Sequence, residues 1–152
     1  MSDKVNTKLM QELCELLEPF PEAITFVVEY RNYIHMIDDI IDNKDRPSAE
    51  LILMAFAKAA EVFSMPFWLR HGQLLFCVEQ MINNTYADSV EWENNKMDKW
   101  KKSDASVLRH AGIDMFFAVI LLMCGRDKLR DISSRFREQT HLMHMDENLQ
   151  AI

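Results

Sequence analysis

Glycine and proline are scarce in this chain, three and four among 152 residues. Tight turns draw on glycine for positive φ and on proline for a preset φ, so a sheet with many hairpins has little to be built from. No segment alternates apolar and polar residues between turn formers, and the expectation is a mostly helical fold. Cysteine is sparse as well. Cys14, Cys77 and Cys124 are far apart and odd in number, which reads as reduced core thiols and not a disulfide framework. The chain has no Gly-rich phosphate loop, no nucleophile elbow, no CxxC and no pair of Glu-x-x-His motifs, so the enzyme classes built on them are not expected. The longest apolar run, Met115 to Cys124, is half of a membrane span, and no membrane partner is expected. The opening "MSDKVNTKLMQ" lacks the apolar stretch of a signal peptide, which predicts a cytoplasmic protein.

What the chain does have is a hydrophobic fraction of 49% and a formal charge of −7. That length and composition suit one helical domain over 1–152 with a sizeable core. The negative balance argues against a nucleic-acid backbone as ligand. Eleven methionines suit an adaptable core or contact surface. Asn6 or Thr7 can cap a first helix ending near Glu18, and Pro21 can open a second that reaches about Asp42. Ser48 is a good cap for "AELILMAFAKAAEVF". A long helix follows from about Phe67 to about Asn94, a fifth from Ser103 or Asp104 to the stop at Gly125, and a last one from Asp127 to about His144, with 145–152 as a flexible tail. The expected fold is all-α: a compact bundle of about six helices, largely antiparallel because their connections are short.

The most informative segment is "HMIDDIIDN", residues 35–43. At about 100° per residue, Val27, Tyr30, Ile34, Ile37 and Ile41 form one apolar stripe. Arg31, His35, Asp38 and Asp42 repeat the same rhythm one position later, so they lie at the shoulder of the buried face, with Asp39 at the far edge. Like charges clustered at a shoulder raise one another's pKa. Two remedies are open: the shoulder is solvated or arginine-paired, or Asp38, Asp39 and Asp42 hold a hard cation such as Mg²⁺ or Mn²⁺. On the fourth helix Cys77, Gln80, Asn84, Asp88 and Glu91 share a narrow strip, and Asn84, Asp88 and Glu91 could face Asp38 and Asp42 across a cleft. The same strip could instead pair with Lys96 or Lys99.

Asp38-Asp39-Ile40-Ile41-Asp42 resembles the DDxxD motif of the all-α class I isoprenoid synthases, which binds Mg²⁺ and through it a substrate diphosphate. Asn84 and Asp88 keep the first step of that family's second motif, while its last position is Trp92 with Glu91 beside it. Glu12-Leu13-Cys14-Glu15 followed by Asp39-Ile40-Ile41-Asp42 resembles the ExxE and ExxD pair of the all-α nucleoside triphosphate pyrophosphohydrolases, the MazG and dimeric dUTPase group. Asp39 stands where that group carries Glu. Both resemblances imply Mg²⁺ or Mn²⁺, a phosphorylated small-molecule substrate and, for the second, a homo-oligomer.

Hydrolysis of a diphosphate or triphosphate is the expected activity on this reading, with Glu12, Glu15 or His35 orienting water. Lys44, Arg46 and Arg31 are the nearest candidates to contact phosphate. The competing expectation is a non-enzymatic interaction protein presenting an acidic face. His110 and Asp114, four apart, suggest a hydrogen bond bridging two helices. His141, His144 and Asp146 form a weaker metal candidate. "DKLRDISSRFR" reads as an ordinary helix surface.

Overall fold

In the computed structural model, backbone is described for residues 2–43 and 48–150, and side chains for 8, 10–43 and 48–141. The elements are α1 (Ser2–Leu16), α2 (Pro21–Asp42), α3 (Ala49–Val62), α4 (Pro66–Glu93), α5 (Lys99–Leu108), a 3₁₀ turn (Arg109–Gly112), α6 (Ile113–Cys124) and α7 (Arg126–Gln150). No strand occurs among the described residues. The fold is all-α, as the turn-poor sequence requires. α5, the 3₁₀ turn and α6 run on as one rod from Lys99 to Cys124, so the bundle has six rods.

Local chemistry explains most of the boundaries. Pro21 and Pro66 each occupy the first turn of their helices, where a missing N–H costs nothing. Ser48 Oγ accepts from the Leu51 N–H at 3.1 Å and caps α3 as its type predicts. Gly125, at φ 88° and ψ 172°, ends α6 in a conformation nearly closed to other residues. Three ends differ from expectation. The fifth rod begins at Lys99, ahead of Ser103, because Asn95 Oδ1 accepts from the N–H groups of Met97 (2.9 Å) and Asp98 (3.0 Å) and closes the preceding turn. α1 begins at Ser2 and α7 continues to Gln150.

The core forms where α2, α4 and α6 meet, with α1 and α7 closing one side. Phe26 and Tyr30 of α2, Leu75 and Ile82 of α4, and Met115 and Ile120 of α6 are buried together with Leu13, Leu17 and Phe136. Aromatic rings knit α2 to the α3–α4 corner: Phe26 lies 5.2 Å from Phe67, Tyr33 lies 5.7 Å from Phe63, and Phe63 lies 4.8 Å from Trp68. Such pairs contribute about 0.5–1.5 kcal/mol each beyond their buried area. One polar pair sits inside this core. Tyr30 Oη donates to Glu79 Oε2 at 2.7 Å, and Asn83 Nδ2 donates to the other Glu79 oxygen at 3.4 Å. Burial pushes Glu79 above the usual carboxylate range.

α3 is the outlier of the bundle. It packs chiefly on α2, buries only Ala55 and Val62, and leaves Leu53, Met54 and Phe56 exposed. Lys58 ties it down, donating to Glu29 of α2 at 2.7 Å and to Glu61 at 3.1 Å. The rod from Lys99 to Cys124 is long and apolar enough to cross a membrane by length and composition. Here its second half supplies much of the core, with Ile113, Met115, Phe117, Val119 and Ile120 buried.

Candidate functional site

α2 carries its acidic shoulder as the periodicity demands. Val27 and Tyr30 are buried and Ile34, Ile37 and Ile41 half-buried, while Arg31 and Asp38 are half-buried beside them. His35, Asp39 and Asp42 are exposed. What faces this shoulder is not the strip of α4 that the sequence suggested. Cys77, Gln80, Asn84, Asp88 and Glu91 all lie on the exposed side, and Asn84 Nδ2 donates to Asp88 Oδ2 at 3.3 Å within its own helix. The residues turned inward are Leu75, Glu79, Ile82, Tyr86 and Ser89, with Glu93 next in the same 4-3-4-3-4 rhythm.

The centre of the arrangement is Arg109, from the 3₁₀ turn. Its side chain is 8% exposed, and its guanidinium spends every edge on a partner. Nε donates to Ser89 Oγ at 2.6 Å, one terminal nitrogen donates to Asp42 Oδ1 at 3.1 Å, and the other to Glu93. Its own carbonyl accepts from Tyr86 Oη at 3.0 Å. A planar fork suits such multidentate binding, which a lysine could not reproduce. The turn can sit this close to α2 because Gly112 faces Ile34: a Cβ there would meet Ile34 Cγ2 at 3.2 Å.

Arg109 therefore supplies a cation to the acidic shoulder from within the chain. Among the described residues, no three His, Cys, Asp or Glu side chains are grouped so as to hold a metal ion. Of the expected ligands, Asp42 accepts from Arg109 and Asp88 from Asn84, so the two helices' acids are engaged separately. The α1 acids also point elsewhere. Glu12 pairs with Arg135 of α7 at 3.6 Å, and Glu15 accepts from Gln11 at 3.1 Å. Lys44 and Arg46 lie outside the described residues, as do the side chains of His144 and Asp146. Asp114, four residues after His110, accepts from Arg137 at 3.1 Å. His110 belongs to the 3₁₀ turn and Asp114 to α6, so the two are not on one continuous α-helix. His141 is exposed, its ring 6.4 Å from that of His110.

Beside Arg109 a cavity of about 130 Å³ opens between α1, α2, α4, α6 and α7. Leu13, Ile34, Ile113, Phe116 and Phe136 give it apolar walls, and Arg31, His35, Asp38, Tyr86, Arg109 and His110 converge on it. Asp38 Oδ1 is buried there with no hydrogen-bond donor. Burial is the main cause that pushes the Asp38 carboxyl up to about 6; the Tyr86 hydroxyl beside it opposes that rise, and the Asp42 charge adds to it. Burial likewise raises the Tyr86 phenol. Arg31 is half-buried in the same wall, and desolvation lowers its pKa. Among the described residues no carboxylate reaches it within ion-pair distance.

Comparison with protein-family models, with characterised proteins and with solved structures gave no match for this chain.

This geometry sets the response to substitution. Arg109→Met should cost about 2–3 kcal/mol in urea denaturation, less than a wholly buried pair would lose, because Asp42 and Glu93 retain partial hydration. Asp42→Asn, whose side chain is 68% exposed, should cost less than about 1 kcal/mol. Asp38 works in the opposite sense. Its folded pKa of about 6 lies above the ordinary 3.8, so the unfolded chain releases this proton first and stability falls as pH rises from about 4 to about 6. Asp38→Asn should therefore stabilise the protein at pH 7.5 by about 1–2 kcal/mol, flatten that slope, and leave stability near pH 4 unchanged. An unaltered slope in denaturation at several pH values would contradict the assignment.

Proposed function

We propose that the cavity beside Arg109 binds a small molecule carrying an anionic group, a phosphate or a carboxylate. The observation that carries this reading is Arg31: a half-buried guanidinium in an apolar-walled cavity, with no carboxylate partner among the described residues. Such a group gains from an anion brought to it, since neither water nor protein compensates its charge fully. Asp38 supplies the complementary handle. Its buried oxygen without a donor would accept from a hydroxyl or N–H of the same ligand. A cavity of about 130 Å³ is close to the ~150 Å³ that admits benzene, so it takes the headgroup or a small body, with the rest reaching solvent.

Hydrolysis of a phosphorylated substrate remains within this proposal. A carboxyl titrating near 6 can take a proton from water around neutral pH, and its position beside Arg31 would put that water next to the bound anion. The test is a set of thermal melts with inorganic phosphate or acetate, each with and without Mg²⁺, on the native protein and on Arg31→Gln. Binding to the folded state must raise Tm by linkage, by the equivalent of about 2.7 kcal/mol at a hundredfold excess over Kd. Phosphate or acetate should raise Tm in the native protein and not in Arg31→Gln. A shift requiring Mg²⁺ as well would assign the ion to oxygens of the ligand. No shift with either anion at any Mg²⁺ concentration defeats the proposal.

A second reading, a helical interaction protein, is favoured by one observation. The outer face of α3 repeats Ala49, Leu53, Phe56 and Ala60 in 4-3-4 steps, and Leu53 and Phe56 are 66% and 70% exposed. That spacing is the seam of a helix pair. The small-large-large-small order reads the same in both directions, so an antiparallel second copy would set Leu53 against Phe56. Light scattering should show a dimer that Leu53→Glu dissociates. A native monomer at about 100 μM, far above the Kd of a stable pair, would dismiss this reading.

A further inference from the structure

A second, larger hollow lies away from the acidic shoulder. It holds about 590 Å³ between α4, α6 and α7, inside the roughly 300–1,000 Å³ range of small-molecule sites. Its floor is apolar: Val78, Met81 and Ile82 from α4, Phe117 and Leu121 from α6. Met81 and Leu121 remain 69% and 47% exposed within it.

One wall is different. Arg126, Arg130, Ser133 and Arg137 of α7 all line the hollow, and their 4-3-4 spacing makes them a single stripe along the helix. The stripe runs about 16 Å at 1.5 Å per residue. Arg137 is already engaged, donating to Asp114 at 3.1 Å with its guanidinium 5.0 Å from the centre of the Phe117 ring. Arg126 and Arg130 are exposed, and among the described residues neither has a carboxylate within ion-pair distance. In a chain of net charge −7, a run of arginines bordering an apolar hollow is a local reversal of sign.

We infer that this hollow binds a single-chain anionic amphiphile of the fatty-acid class, its alkyl chain along the α4–α6 floor and its carboxylate on Arg126 and Arg130. Charge complementarity selects an anionic head, and the apolar floor selects the chain. A partner helix laid in the groove would meet cations on one wall only. Its girth of about 10–12 Å would also leave most of its surface outside the hollow. This site is separate from the Arg31 cavity, and neither proposal depends on the other.

The experiment is titration calorimetry of the full chain with decanoate, kept below its micelle concentration, against uncharged 1-decanol. The variants are Arg126→Gln/Arg130→Gln and Met81→Glu, with melts to confirm that both fold. Decanoate should bind one to one with a negative heat-capacity change. It should lose roughly tenfold in affinity in the double arginine variant, where its charge-assisted bonds are gone, and decanol should bind more weakly than decanoate. Met81→Glu should weaken decanoate through the floor. Equal affinity for decanol and decanoate, or for native and double-variant protein, overturns the proposal. So does absence of binding at about 1 mM. Displacement of decanoate by an acidic amphipathic peptide at far lower concentration would give the hollow to a protein segment instead and equally overturn it.

Discussion

Arg109 is the residue on which the polar architecture depends. A guanidinium almost out of reach of water has to be surrounded by acceptors or it opposes folding. Its acceptors come from separate parts of the chain, Asp42 at the end of α2 and Ser89 and Glu93 at the end of α4. Holding all of them fixes the separation of α2 and α4, and the Tyr86 bond to its carbonyl pins the turn that carries it. That turn interrupts the Lys99–Cys124 rod where it packs against α4, and Gly112 lets it approach Ile34 of α2. Charge satisfaction, helix spacing and the break in the rod are one arrangement.

The same arrangement creates the cavity. With Asp42 and Glu93 drawn to Arg109, Asp38 is left half-buried with an oxygen that has no donor among the described residues, and Arg31 has no carboxylate among them within ion-pair distance. Neither group is comfortable in the folded chain, and both face one small apolar-walled space. Residues that cost stability while converging on a cavity are the usual mark of a binding site. Tyr30 and Glu79 provide the contrast. They are buried more deeply yet satisfy each other, and their part is to lock α2 against α4.

Much of this was readable in the sequence, and the failures have physical causes. The apolar stripe and acidic shoulder of α2 follow from periodicity alone. The helix starts at Pro21 and Ser48 follow from residue type, and the long helix expected from about Phe67 begins one residue earlier, at Pro66. Which α4 residues face α2 did not follow, because the contrast between Asn84–Asp88–Glu91 and its apolar flanks suggested a polar cleft. The signal overlooked was a core stripe with polar members: Leu75, Glu79, Ile82, Tyr86, Ser89 and Glu93 keep one helical rhythm. A polar residue at a core position implies a buried partner, and Arg109, at the same rhythm after Ala105, is the cation that such a search would have found. The break at His110 was hidden because a 3₁₀ turn cannot be seen in a pattern that assumes a continuous α-helix. Asn95 hid the true start of α5 in the same way, since its side chain rather than a capping serine sets the turn.

α3 has one more consequence, for motion instead of binding. Two buried side chains and the Lys58–Glu29 bridge are its main anchors to α2, together with the ring contact at its Phe63 end. A helix that buries little apolar surface needs little free energy to detach, so α3 is the one that can leave the bundle while α2, α4 and α6 stay packed. Its amides would exchange with solvent through that partial opening and not through global unfolding. The Lys58–Glu29 bridge weakens in salt, which makes the lifetime of the closed form a quantity that ionic strength sets.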